Sequence, residues 1–188
     1  MRLIMKKIRN IFRLLRLCLI LPGIDWRDSV FRKDLARWKA IMHIETSDIL
    51  ALAEILSNKP EFRNLLIFRN NHRPIFRRWI AFCYHPLRTL YIETLEIGGG
   101  LFIQHGFSTM IAAKSIGENC WINQQVTIGY NGQGNPPIIG NNVMITCGAK
   151  VLGNITVGDD SVIGANAVVI KDVEPGATMG GIPAKKIK

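Results

Sequence analysis

His105 is the only histidine between residues 96 and 188 of this 188-residue chain. Imidazole is the side chain whose ordinary pKa best suits general-base work near neutrality. Its natural target is a hydroxyl, a weak nucleophile until a positioned base takes its proton. Glycines flank it at Gly98, Gly99, Gly100 and Gly106. Spacing adds three companions. Gln124, Cys147 and Ala165 fall two residues beyond Ile122, Ile145 and Ile163, as His105 falls two beyond Ile103. If those four isoleucines share one face of a repeating structure, their companions form a column along one edge. That column is polar at the His105 end and small at the other. A base below a shallow strip of small side chains suits a slender acyl carrier brought up to a hydroxyl. A solenoid zinc site of three imidazoles is excluded by the single His, and no metal is expected.

The column needs a scaffold with a fixed repeat, and the second half of the chain carries one. Aliphatic anchors fall at Ile97, Ile103, Met110, Ile116, Ile122, Ile128, Ile139, Ile145, Val151, Val157, Ile163 and Val169. Every step is six, apart from one of seven (103 to 110) and one of eleven (128 to 139). Gly follows the anchor at 98, 117, 129, 140, 158 and 164, and a small or aliphatic residue often stands four positions after it. A period of six is not helical. Short strands joined by tight turns explain it, with Gly or Asn in turn conformations that other residues resist. Three strands close one triangular coil, and coils stack at about 4.8 Å. The predicted fold is mainly β: a C-terminal left-handed parallel β-helix of the hexapeptide-repeat kind, preceded by an α-helical N-terminal region. The eleven-residue step, Gly129 to Pro137, is expected to project from a corner as a glycine-rich loop.

The first half differs in kind. Residues 1–95 carry 18 Lys and Arg against 8 Asp and Glu, whereas residues 96–188 carry 6 against 6. The whole excess of +10 therefore lies N-terminal. We place the domains at 1–90 and 91–188. Residues 2–20 read as an amphipathic helix, with Ile4, Ile8, Ile11, Phe12, Leu15 and Leu19 on one face. Arg2, Lys6, Arg9, Arg13 and Arg16 lie on the other, and Pro22-Gly23 ends the helix. Two readings follow: attachment to an anionic membrane surface, or packing on the protein itself with the basic face in solvent. Two further helices are predicted, over Asp25–Met42 and Ile49–Leu56, the latter behind Thr46-Ser47-Asp48 and stopped at Pro60.

The composition also excludes classes. Apolar residues at 48% rule out a disordered chain. No apolar run approaches the roughly 18 residues of a membrane span, and a cleaved signal peptide is not expected. Cys18, Cys83, Cys120 and Cys147 form no CxxC pair and read as reduced thiols of a cytoplasmic protein. Arg residues of 63–88 alternate with aromatics but carry no RNA- or DNA-binding signature, so nucleic acid is not an expected partner.

From Ile97 to Ile187 the sequence resembles the serine acetyltransferase branch of the hexapeptide acyltransferases. The likeness rests on Gly100-Leu101-Phe102-Ile103-Gln104-His105-Gly106, on Ile122-Asn123-Gln124-Gln125-Val126-Thr127-Ile128-Gly129, on Gly148-Ala149-Lys150-Val151-Leu152-Gly153-Asn154-Ile155, and on Gly181-Ile182-Pro183-Ala184-Lys185. The resemblance implies that His105 deprotonates a hydroxyl that attacks acetyl-CoA directly. It implies a coenzyme A groove built from Gln124, Gly129, Cys147, Ala165, Gly181 and Lys185. It further implies a homotrimer with sites between subunits, and an N-terminal region able to join two trimers.

Departures from the family pattern shape the remaining expectations. The family pairs its His with a preceding Asp, but no Asp lies between Asp48 and His105, which leaves Glu93 or Glu96 as substitutes. The residue before the catalytic His, typically an acceptor-contacting Asp, is the neutral Gln104. A second His usual in the loop is replaced by Asn135-Pro136-Pro137. Lys188 follows Ile187, so the family's complex with cysteine synthase, which uses a C-terminal Ile, is not expected. The expected function is serine O-acetylation. The alternatives are O-acetylation of sugar hydroxyls in surface polysaccharide synthesis, with the enzyme peripheral at the inner membrane face, and a non-catalytic assembly solenoid.

Overall fold

The structure, a computed structural model, describes residues 2–132 and 134–188. The faces expected for Arg2, Ile4 and Lys6 lie outside the described side chains. The chain divides into Met1–Leu87 and Arg88–Lys188. The division falls three residues before the expected one, because Leu90–Ile92 already pairs as a strand.

In the second unit the chain winds through short strands. The first coil holds β1 (Leu90–Ile92), β2 (Glu96–Ile97) and β3 (Phe102–Ile103). The second holds β4 (Thr109–Ile111), β5 (Ser115–Ile116) and β6 (Trp121–Ile122), and the third β7 (Thr127–Gly129), β8 (Ile138–Ile139) and β9 (Met144–Ile145). The fourth holds β10 (Lys150–Leu152), β11 (Thr156–Val157) and β12 (Val162–Ile163). The fifth keeps β13 (Val168–Val169) and β14 (Thr178–Gly180), and β15 (Lys185–Lys186) returns antiparallel to β14. Three parallel sheets result: β1-β4-β7-β10-β13, β2-β5-β8-β11 and β3-β6-β9-β12-β14 with β15 at its end. The anchors fill the interior, with Ile122, Ile128, Ile145, Val151, Val157 and Ile163 all fully buried.

One anchor is misplaced by the six-residue reading. Met110 is 37% exposed, whereas Ile111 is fully buried and aligns with Ile128. Side chains alternate across a strand, so a slip of one residue reverses which of the two faces the core. The step from Ile103 is therefore eight residues, and the two extra ones sit at the corner that carries His105.

The recurring glycine also has a different cause from the one expected. Among the six glycines that follow anchors, none has positive φ. The left-handed corner positions are filled instead by residues such as Asn119, Asn142 and Asp160. What they allow, at every one of these positions except Gly129, is close approach: a Cβ at Gly98 would stand 2.7 Å from the Gly117 carbonyl carbon, and one at Gly117 2.6 Å from that of Gly140. Backbone cannot yield as a flexible side chain can. Gly117→Ala is expected to cost about 1–3 kcal/mol, typical of overpacking, seen as a lowered denaturant midpoint.

The first unit is helical: α1 (Arg2–Cys18), α2 (Ser29–Ile41), α3 (Asp48–Asn58), α4 (Pro60–Arg69) and α5 (Pro74–Cys83). Asp28 caps α2, its carboxylate accepting the Val30 N–H at 2.8 Å. Helices α4 and α5 were not predicted. Both begin with proline, which ends the preceding segment yet suits the first helical turn, where its missing N–H has no partner to lose. Asp34 is buried and receives two bonds from Arg69, Nε to Oδ2 at 2.8 Å and Nη2 to Oδ1 at 3.2 Å. No helix among the described residues is long and apolar enough to cross a membrane.

Helix α1 packs with the opposite face from the one expected. Two of its basic residues are turned inward: Arg13 donates to Asn58 Oδ1 at 3.0 Å, and Arg16 Nε donates to the Cys83 carbonyl at 2.7 Å, while Arg9 is exposed. The Arg16 guanidinium also lies 4.4 Å over the ring of Tyr84, whose phenol burial pushes up to about 12 against the pull of that charge. Leu17 and Ile20 complete the packed side. The predicted apolar face, Ile8, Ile11, Phe12, Leu15 and Leu19, is exposed.

Candidate active site

Strand register sets the column. Ile103 aligns with Ile122, Ile122 with Ile145, Ile145 with Ile163, and Ile163 with Met179. Two residues on, His105, Gln124, Cys147 and Ala165 therefore stack along one edge, between the sheet of β3 and the sheet of β4. Gly181 is the fifth member, which spacing alone did not reveal because the last coil departs from the repeat. The C-terminal segment is tied to the same edge: Val168 N–H donates to the Gly181 carbonyl at 3.0 Å, and Ala184 N–H donates to that of Val168 at 2.8 Å. Lys185 pairs with Gly180 and is exposed there.

His105 points away from the interior and is exposed. Its backbone is in the left-handed region, φ +54°, as is that of Ser108 at +52°. Phe107 N–H folds back onto the His105 carbonyl at 2.5 Å. His tolerates this region better than most residues, yet such conformations cost on the order of 1–3 kcal/mol and gather at functional sites. The buried Thr109 hydroxyl braces the corner by donating to the Phe107 carbonyl at 3.2 Å. The two-residue bulge thus re-aims one imidazole out of an otherwise regular edge. Above it, Gln124 and Cys147 are half-buried and Ala165 is exposed, so small side chains leave the edge open.

Polarity at the lower end is unsatisfied. Gln124 Oε1 and Asn123 Oδ1 are buried without a hydrogen-bond partner among the described residues. Acceptors left in that state cost free energy until a donor reaches them. Lys150 places its ammonium against the Gln125 carbonyl at 2.6 Å, a cation beside the column. Asn123 and Lys150 were passed over in the sequence, since neither falls on the anchor-plus-two position. Gln104 is half-buried, immediately before the bulge.

Three expected members are not brought to this edge within one chain. Glu93 follows β1, its N–H donating to the Ile111 carbonyl at 2.9 Å, and Glu96 opens β2. Both stand past the far end of the face that His105 enters. Gly129 ends β7 at that same far corner, where the loop to Pro137 leaves the solenoid. Among the described residues, no hydrogen bond or ion pair joins Glu93 or Glu96 to His105. The six-residue phase predicts distance along an edge but not which corner a residue between anchors turns. No group of three His, Cys, Asp or Glu able to hold a metal occurs among the described residues.

Residues 136–171 match the family model of the bacterial transferase hexapeptide (six repeats). A serine acetyltransferase of Helicobacter pylori is 40% identical over 146 residues, 71% of this chain and 85% of that protein. One from Synechococcus elongatus is 36% identical over 145 residues, again 71% of this chain but 59% of the relative. The chain thus spans about three fifths of that longer protein. Among solved structures, serine acetyltransferase in complex with coenzyme A from Brucella abortus strain S19 superposes with a TM-score of 0.66 at 25% identity, covering 95% of this chain and 79% of that one.

Proposed function

The chain belongs to the serine acetyltransferase family, and from that membership we propose that it transfers the acetyl group of acetyl-CoA to the hydroxyl of L-serine. His105 takes the hydroxyl proton, and the freed oxygen attacks the thioester carbonyl. The tetrahedral intermediate then collapses with cleavage of the carbon–sulfur bond, and the coenzyme A thiolate leaves to collect a proton. O-acetyl-L-serine and coenzyme A are the products.

The observation that carries this reading is the column. An exposed imidazole, aimed by a bulge, stands at the foot of an open edge of small side chains that ends at Gly181. Coenzyme A lies along Cys147, Ala165 and Gly181, with Lys150 and Lys185 available to its phosphates. Gln124 and Asn123 supply acceptors near the reacting end. A homotrimer places such edges at subunit seams, and the carboxylate that orients His105 then comes from outside its own chain or is dispensed with.

Gln104 favours a second acceptor, a sugar hydroxyl. A neutral amide cannot balance the ammonium group of an amino acid as a carboxylate does, whereas it can hydrogen-bond a carbohydrate. One assay separates the two: thiol release from acetyl-CoA with L-serine, beside a panel of nucleotide sugars and oligosaccharides. Turnover with serine is expected. Turnover with carbohydrate alone would replace the serine reading by the second.

A further inference from the structure

We propose that the helical unit docks on an anionic lipid surface through a joint apolar face of α1 and α5. The inference is independent of which hydroxyl is acetylated. Helix α1 leaves Met5, Ile8, Ile11, Phe12, Leu15 and Leu19 exposed on one side, with Phe12 at 67% and Leu15 at 60%. Helix α5 exposes Ile75 at 85% and Phe82 at 70%, together with Trp79, on one side of its own. The two helices touch, since the Trp79 indole N–H donates to the Leu19 carbonyl at 2.7 Å and Arg16 reaches the Cys83 carbonyl. Two exposed apolar stripes thus meet on one unit, and an apolar surface of that extent marks a contact site. Trp79 was assigned to no membrane face in the sequence, because only the fold brings it beside α1.

Charge selects the occupant. Residues 1–87 carry 17 Lys and Arg against 7 Asp and Glu, the whole +10 of the chain, while residues 88–188 carry 7 against 7. Of those acids, Asp34 is buried against Arg69, and Asp48 and Glu54 face Lys39 and Arg13. Arg9, one turn after Met5, and Arg78, one turn before Phe82, are exposed beside the stripes. A second copy of the same unit would bring +10 against +10. Anionic headgroups complement that charge, while the apolar stripes enter the boundary between headgroups and acyl chains.

The test is co-sedimentation of the full chain with vesicles of phosphatidylcholine alone or containing phosphatidylglycerol. Binding to the anionic vesicles is expected, weakened by added salt. It should fall about tenfold or more in a Phe12→Asp/Leu15→Asp double variant, and likewise in Phe82→Asp. All three side chains are exposed, so fold and acetyl transfer should be unchanged, checked by circular dichroism and thiol release. Three results would overturn the proposal: wild-type protein left in the supernatant with anionic vesicles, equal binding to neutral ones, or binding indifferent to the aspartates. A drop in oligomer size in the variants, without any vesicle binding by the wild type, would assign the face to another protein copy instead.

Discussion

Replacing His105 by alanine is expected to lower acetyl-transfer turnover by about 10² to 10⁴, the usual worth of a positioned general base. Coenzyme A binding and assembly should survive, because the imidazole is exposed and makes no hydrogen bond among the described residues. The measurement is single-variant kinetics by thiol release, with coenzyme A affinity by calorimetry and mass by light scattering. Unchanged turnover would remove His105 from the mechanism. Loss of coenzyme A binding along with turnover would instead mark a collapsed corner. That distinction matters here, because residue 105 holds φ at +54° and alanine tolerates the left-handed region less well than histidine. His105→Asn separates the two, since asparagine accepts the conformation but cannot act as a base at neutral pH. It should match alanine in turnover and wild type in stability.

Arg69→Met is expected to cost about 3–5 kcal/mol, the largest stability loss of any single substitution considered. It would take from the Asp34 carboxylate, 1% exposed, the guanidinium that donates to both of its oxygens. Losing the charged partner of a buried carboxylate costs far more than losing an apolar contact. A double variant, Asp34→Leu/Arg69→Met, removes both charges together and should recover most of the loss, because a buried pair is often replaceable by apolar side chains. Denaturant midpoints of the full chain give the comparison. Equal losses in the single and double variants would show that packing rather than charge decides this site.

Much of the β unit is legible in the sequence. Aliphatic anchors recur every six residues, and the interior accepts only such side chains, so period and core coincide from Ile116 to Val169. The column through His105, Gln124, Cys147 and Ala165 follows from that arithmetic. Where the arithmetic failed, conformation rather than composition was deciding. Met110 and Ile111 are both apolar, and only the length of the bulge at His105 tells which one turns inward. Fixed glycines such as Gly98 and Gly117 look like turn residues, but they mark where one coil's backbone lies against the next.

The helical unit shows the complementary limit. Its amphipathic first helix was identified correctly, and so was the segregation of charge, since both depend only on local spacing. Which face of α1 would be covered depends on what else the unit offers: the Cys83 carbonyl and the Tyr84 ring for Arg16, and Asn58 and Glu54 for Arg13. These partners lie 45 or more residues away in most cases, beyond any local pattern. The amino-acid order alone thus determined the period, the column that begins at His105 and the segregation of charge. Tertiary structure decided the corner at which each residue stands and the side on which each helix is covered, because burial is settled by partners distant in sequence.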